Sequence, residues 1–183
     1  MGPRGIVGGG RGGTGMSAGG SARPQIGPAG GDAAAEIGAA ERHTGGCVCG
    51  RVRFAATGAP AWACYCHCTE CRAATGAPVT LWVGFPAARV TWTGERTVRP
   101  GLGAVERGFC GGCGAPLSYA DATIPGEEVY LAIGAFDEPG RIAPEAHAFW
   151  ASRLPFVAFD DGLPKYPTFS RRRVGASEIK RAC

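Results

Sequence analysis

From Cys47 onward, apolar and polar residues alternate in short runs that glycine or proline ends. A period of two places alternate side chains on one face of a β-strand, so each run predicts a short strand. The runs are Val52–Phe54, Val79–Phe85, Val90–Trp92, Leu117–Tyr119, Val129–Ile133 and His147–Ala151. Helical turns are expected only at Thr69–Thr75 and Ala151–Leu154. The pattern predicts a small all-β domain of short antiparallel strands.

The chain divides into three segments of different composition. Residues 1–43 are a glycine-rich leader, since the first 46 residues hold 16 of the 32 glycines and no aromatic residue. Such a segment buries too little apolar surface to offset its ordering entropy, so we expect it to be disordered, and Met16 is an alternative start. Residues 44–169 are the predicted domain. Residues 170–183 are expected to form a basic, flexible tail.

The net charge of +4 does not come from the predicted domain. Residues 47–169 carry ten basic and eleven acidic side chains. A nucleic-acid surface requires a basic patch, so no nucleic-acid partner is expected. No apolar run approaches the ~18 residues of a membrane helix, and residues 1–46 lack the apolar core of a secretory signal. The composition therefore predicts a soluble, cytoplasmic protein with no membrane partner.

Cysteine clusters carry the strongest chemical signal in the chain. Seven of the nine cysteines fall in the motifs Cys47-x-Cys49, Cys66-x-Cys68-x-x-Cys71 and Cys110-x-x-Cys113. Thiolates at this spacing can bind one tetrahedral ion from a single turn, and zinc is the usual occupant. A disulfide framework is typical of small secreted chains, and the absence of a secretory signal argues against it here. A redox Cys-x-x-Cys should open a helix, whereas Gly114 and Pro116 follow Cys113. The pattern favours two zinc ions per chain.

The seven thiolates divide naturally into four and three. Cys47 and Cys49 can close a tetrahedron with Cys110 and Cys113, and a site with four protein ligands is structural. Such a site would tie the first strand to a segment about sixty residues later. Cys66, Cys68 and Cys71 leave one coordination position open, which is the arrangement of a catalytic zinc.

Other side chains could change this division. Cys64 or His67 could complete the second site and make it structural. In an extended segment Cys64 shares a face with Cys66 and Cys68, whereas His67 points away from them. A single extra cysteine is more often a small buried apolar residue. His43 lies in the expected leader, and His147 in a predicted strand is a weak pocket candidate.

Longer stretches around these cysteines resemble the glutathione-dependent formaldehyde-activating enzyme family, which includes centromere protein V. The stretches are Gly46-Cys47-Val48-Cys49-Gly50-Arg51-Val52-Arg53-Phe54, Cys66-His67-Cys68-Thr69-Glu70-Cys71-Arg72, Thr75-Gly76-Ala77-Pro78, Phe109-Cys110-Gly111-Gly112-Cys113-Gly114, Arg153-Leu154-Pro155 and Asp160-Asp161-Gly162-Leu163-Pro164. The resemblance covers roughly Thr44 to Phe169 and omits the glycine-rich leader.

The resemblance implies a zinc-stapled β-tent fold with the same four-plus-three ligation. It also implies a carbon–sulfur lyase that joins formaldehyde to glutathione as S-hydroxymethylglutathione, with a small thiol or its aldehyde adduct as partner. An alternative is a non-catalytic binding module with two structural zincs, because a fold does not fix a function. The candidate substrate residues are Arg51, Arg72, Phe109 and Trp150, which lie near the clusters in sequence.

Overall fold

The computed structural model describes residues 41–124 and 127–171 of the chain. Its strands are β1 (Arg42–Gly46), β2 (Arg53–Thr57), β3 (Trp62–Cys66), β4 (Thr80–Pro86), β5 (Val90–Thr93), β6 (Thr97–Pro100), β7 (Val105–Phe109), β8 (Pro116–Asp121), β9 (Glu128–Ala132) and β10 (Ala146–Ala148). One α-helix, α1 (Thr69–Thr75), interrupts them at its predicted position. The prediction of a small all-β fold is confirmed.

The strands form two sheets. One has the order β1-β2-β5, and the other has the order β10-β3-β4-β9-β8-β7-β6. Within the described residues every strand pair is antiparallel except β10 with β3, which is parallel. The strands are thus antiparallel as predicted except at this pair, where β10 returns to the edge of β3 after a long connection instead of a hairpin.

The main core lies between the two sheets. Phe54 and Ala56 of β2 pack in one cluster with Phe85 of β4 and Leu131 of β9, and all four are at most 3% exposed. These side chains alternate along their strands, which is why the period-two runs locate them correctly. Burial of this apolar surface is the main stabilising term of the fold.

The opposite face of the seven-stranded sheet is also buried. Trp82 of β4 is 1% exposed and packs in a second cluster with Tyr130 of β9 and with Cys64 and Cys66 of β3. In β4, therefore, Val83 faces the first core and its neighbour Trp82 faces the second. The second face carries the cysteines of the middle cluster.

The domain begins slightly earlier than predicted. Strand β1 starts at Arg42, and His43, which was expected in the flexible leader, is only 5% exposed. The His43 ring packs against Phe85 at a centroid distance of 5.5 Å. His43 is therefore a core residue of β1 and not part of a flexible leader, and the structural role expected of it in preference to metal ligation stands. The rest of the leader, residues 1–40, lies outside the described residues.

The C-terminal side of the domain also departs from the prediction. The strand expected at His147–Ala151 ends at Ala148, because Phe149 has a φ of 56° and a 3-10 turn follows at Trp150–Ser152. Ser170, expected in the flexible tail, accepts a hydrogen bond from Nε1 of Trp62 (3.2 Å). Residues 172–183 of the predicted tail lie outside the described residues. None of the described helices is both long and apolar enough to cross a membrane.

Candidate metal centres

Two glycine-ended turns bring the outer cysteine pairs together. Cys47 and Cys49 lie in the turn between β1 and β2, whereas Cys110 and Cys113 lie between β7 and β8. In each turn a glycine N–H donates back to the first cysteine's carbonyl, Gly50 to Cys47 (3.1 Å) and Gly114 to Cys110 (2.8 Å). Both glycines have a positive φ, of 77° and 73°, which other residues adopt at a cost.

The sulfurs of this four-cysteine site are spaced for one tetrahedral ion. All four lie within 4.8 Å of one another. The Sγ of Cys49 is 3.5 Å from that of Cys47 and 3.7 Å from that of Cys110. A zinc–sulfur bond of ~2.3 Å places tetrahedral ligands about 3.8 Å apart. The residues present therefore fit a zinc ion.

Within the four-cysteine site, Cys47 favours the thiolate form. Burial opposes ionisation of Cys47, but the N–H of Val52, 3.2 Å from its Sγ, and the adjacent thiols lower the pKa of Cys47 to about 6. Metal ligation requires the deprotonated form, so this backbone donor prepares the site for a cation. Cys47 and Cys110 are buried, whereas Cys49 and Cys113 are exposed.

The middle cluster is held by the end of β3 and the start of α1. Cys66 ends β3, and Cys68 is the N-cap of α1, where its Sγ accepts the N–H of Cys71 (3.2 Å). The three sulfurs lie within 4.8 Å of one another, and all three residues are buried. This three-cysteine site can hold a metal ion and supplies one thiolate fewer than the four-cysteine site.

Arg107 of β7 supplies positive charge to the three-cysteine site. Its Nη2 lies 3.6 Å from Sγ of Cys71 and 3.0 Å from Oε1 of Glu70, and both of these residues are in helix α1. Hydrogen bonds from the thiols of Cys66 and Cys68, together with the charge of Arg107, hold the pKa of Cys71 below its ordinary value. Sequence reasoning missed Arg107, because no local motif links it to a cysteine 36 residues earlier.

Cys64 lies outside the group of three sulfurs. Its side chain is buried on the same sheet face as Cys66, and the hydroxyl of Ser170 donates to its Sγ at 3.9 Å. Burial raises the pKa of the Cys64 thiol. These surroundings are those of a packed, neutral thiol.

His67 points away from the three sulfurs and begins a hydrogen-bonded chain of two buried histidines and an exposed aspartate. Its Nε2 is 2.9 Å from Nδ1 of His147, and Nε2 of His147 is 2.8 Å from Oδ2 of Asp161. Both histidines are fully buried. Partial desolvation opposes ionisation of Asp161, but hydrogen bonds from the Leu163 N–H and His147 lower its pKa. These hydrogen bonds fix the segment that carries Cys66 and Cys68. Sequence reasoning missed the role of Asp161, which depends on contacts distant in the chain.

The four candidate substrate residues do not converge on one place. Arg51 lies against Gly112 beside the four-cysteine site. Arg72 donates to the carbonyls of His67 and Ser152, and Trp150 packs edge-on against His67. Arg72 and Trp150 therefore support the histidine chain.

Phe109 lines a cavity of about 220 Å³, which is linked to the three-cysteine site by Arg107, the residue that contacts Cys71. This cavity is lined by Ala74, Thr75, Trp82, Arg99, Pro100, Arg107, Gly108, Phe109, Gly114, Pro116 and Ser118. A smaller cavity of about 40 Å³ has Cys64, Cys66 and Ser170 in its wall. The larger cavity thus combines aromatic walls with two guanidinium groups.

Comparison with a family model identifies the family of this chain. No curated protein matches the chain. A crystal structure of a Rhodobacter sphaeroides protein is 20% identical to this chain, with 67% of this chain and 99% of that chain covered and a TM-score of 0.42. The model of the glutathione-dependent formaldehyde-activating enzyme family matches residues 42–152, which is more than half of the chain and contains all seven clustered cysteines. The chain therefore belongs to the glutathione-dependent formaldehyde-activating enzyme family.

Proposed function

We propose that this protein is a zinc-dependent carbon–sulfur lyase that joins a small aldehyde to a small thiol, such as formaldehyde to glutathione, and cleaves the adduct. In the forming direction, the thiol sulfur bonds to the carbonyl carbon and the thiol proton ends on the aldehyde oxygen. Cys47, Cys49, Cys110 and Cys113 hold a structural zinc. Cys66, Cys68 and Cys71 hold a second, catalytic zinc.

The observation that carries this proposal is the difference between the two cysteine sites. The first brings four sulfurs within 4.8 Å of one another, and the second brings together three. A zinc with three protein ligands keeps one position for a substrate. When bound there, zinc lowers the pKa of a coordinating thiol, so that the nucleophile is available near neutral pH.

The protein's own residues keep the second site rigid and electrically balanced. Arg107 places its guanidinium beside Cys71, offsetting part of the negative charge of three thiolates. Arg72 ties the His67 carbonyl to that of Ser152, and His147 holds the His67 ring. The ligand loop is therefore fixed from both sides. The proposal also requires a reducing compartment such as the cytoplasm, because oxidised cysteines do not bind zinc.

The alternative function is a binding module with two closed, structural zinc sites. Its supporting observation is that Cys64 is buried beside Cys66 on one strand face, where a side-chain movement could bring a fourth sulfur to the metal.

Metal content and turnover distinguish the two functions. In the lyase, Cys64→Ala keeps two zincs per chain and its formaldehyde–glutathione turnover, whereas Cys68→Ala loses one zinc and its turnover. Loss of one zinc in Cys64→Ala would show that the second site is closed. Two zincs without turnover in the wild type would refute the lyase and favour the binding module.

A further inference from the structure

The hairpin of β6 and β7 places two arginines directly opposite each other. Arg99 of β6 is the register partner of Arg107 of β7, so both side chains lie on the same face of the sheet. Like charges at directly opposed positions of an antiparallel pair are destabilising. The hairpin keeps this pair on the face that also carries the three-cysteine site.

Only one of the two charges is compensated within the described part of the chain. Arg107 pairs with Glu70 and contacts Cys71. Arg99 donates to the carbonyl of Val98 at 3.1 Å and has no carboxylate partner among the described residues. Arg99 is exposed and thus available to a ligand.

Both arginines line the 220 Å³ cavity, and Arg107 connects this cavity to the three-cysteine site through its contact with Cys71. Helix α1, which carries Cys71, also supplies Ala74 and Thr75 to the cavity wall. The volume is below the ~300 Å³ at which pockets for drug-sized ligands begin, so the cavity suits one arm of a ligand. Arg99 supplies a fork of N–H donors that matches a carboxylate.

We propose that this cavity is a carboxylate subsite for the thiol substrate, and that Arg99 selects carboxylate-bearing thiols over neutral ones. A carboxylate between Arg99 and Arg107 removes the repulsion across the hairpin and leaves Arg107 in contact with Cys71. The inference rests on the proposed function, since the thiol sulfur must occupy the open position of the second metal site.

The test uses two thiols of similar length that differ in charge. The cobalt-substituted full-length chain is titrated with 3-mercaptopropionate and with 2-mercaptoethanol, and the visible spectrum reports each added sulfur ligand. We expect 3-mercaptopropionate to bind about tenfold more tightly in the wild type, which corresponds to roughly 1.4 kcal/mol. Arg99→Gln should abolish this difference and leave the dissociation constant of 2-mercaptoethanol unchanged.

A matched control separates local recognition from net charge. Arg141→Gln removes the same charge from an arginine that pairs with Glu41 and Glu138, outside the cavity wall. It should keep the tenfold preference.

Four outcomes would overturn the inference. Equal affinity for both thiols in the wild type refutes the carboxylate subsite and leaves the proposed lyase function standing. An undiminished preference in Arg99→Gln, or an equal loss of affinity for both thiols, shows that Arg99 does not select the carboxylate. No spectral response to either thiol refutes the open metal site, and with it both proposals.

Discussion

Replacing Cys110 with serine should destabilise the whole fold, because the four-cysteine site joins distant parts of the chain. The Sγ atoms of Cys49 and Cys110 are 3.7 Å apart, although the two residues are separated by 61 positions. In the chain-entropy treatment of cross-links, closing a loop of that length contributes about 4 kcal/mol. A metal ion bound by Cys66 and Cys71 closes a loop of only a few residues, for which the same relation gives about 2 kcal/mol.

This difference predicts unequal losses of melting temperature. For a domain of about 150 residues, 1 kcal/mol corresponds to roughly 2–4 °C. The Cys110→Ser variant should therefore melt roughly 8–16 °C below the wild type, and Cys68→Ser roughly 4–8 °C below it. The free energy of unfolding of a typical protein is about 5–15 kcal/mol, so a loss of about 4 kcal/mol in Cys110→Ser is a substantial fraction of it.

Thermal unfolding followed by circular dichroism, with zinc content measured on each sample, tests this reasoning. Cys64→Ala is the control, because it removes a buried cysteine outside the group of three sulfurs. Equal melting losses in Cys110→Ser and Cys68→Ser would refute the loop-closure argument. So would a Cys110→Ser variant that lacks one zinc yet melts like the wild type.

Two further predictions concern the histidine chain and the core. The folded-state pKa of Asp161 is lowered, so its contribution to stability is present above its unfolded value of 3.8 and is lost as pH falls through the folded value. The urea midpoint of Asp161→Asn should therefore lie below that of the wild type at pH 6, and the difference should shrink as the pH falls below 3.8; a constant difference would contradict this. Gly45→Ala should lower the free energy of unfolding, measured in urea, by about 3 kcal/mol, because the added Cβ would lie 2.3 Å from the Ala135 carbonyl oxygen. Gly134→Ala, which meets no atom within 4 Å, is the control, and equal midpoints for these two variants would contradict the packing argument.

Local patterns predicted the parts of the fold that depend on neighbouring residues. The alternation at Val79–Phe85 located β4, and the helical turn predicted at Thr69–Thr75 coincides with α1. Strands β6 and β7 were missed, because the sequences Thr97–Pro100 and Val105–Phe109 interleave arginine and glutamate with few apolar residues. Their strand conformation is set by the pairing of β6 with β7 and of β7 with β8, which a local pattern cannot show.

The sequence indicated the cysteine groups of the candidate site but not their surroundings. Cysteine pairs a few residues apart predict their own proximity, and the four sulfurs of the first site do lie together. By contrast, His67 meets His147 across 80 residues, and Arg107 meets Cys71 across 36. These contacts depend on the order of strands in the sheet, which a single sequence does not specify.

The unequal exposure of the two cysteine sites has a consequence for damage by oxidants. Thiolates that reach solvent react first with peroxides and electrophiles, and in this chain Cys49 and Cys113 are exposed whereas Cys66, Cys68 and Cys71 are buried. Oxidative stress would therefore attack the four-cysteine site first. Inactivation would then begin with loss of the fold rather than with chemistry at the buried site, and a reductant would restore the protein only if it acted before aggregation.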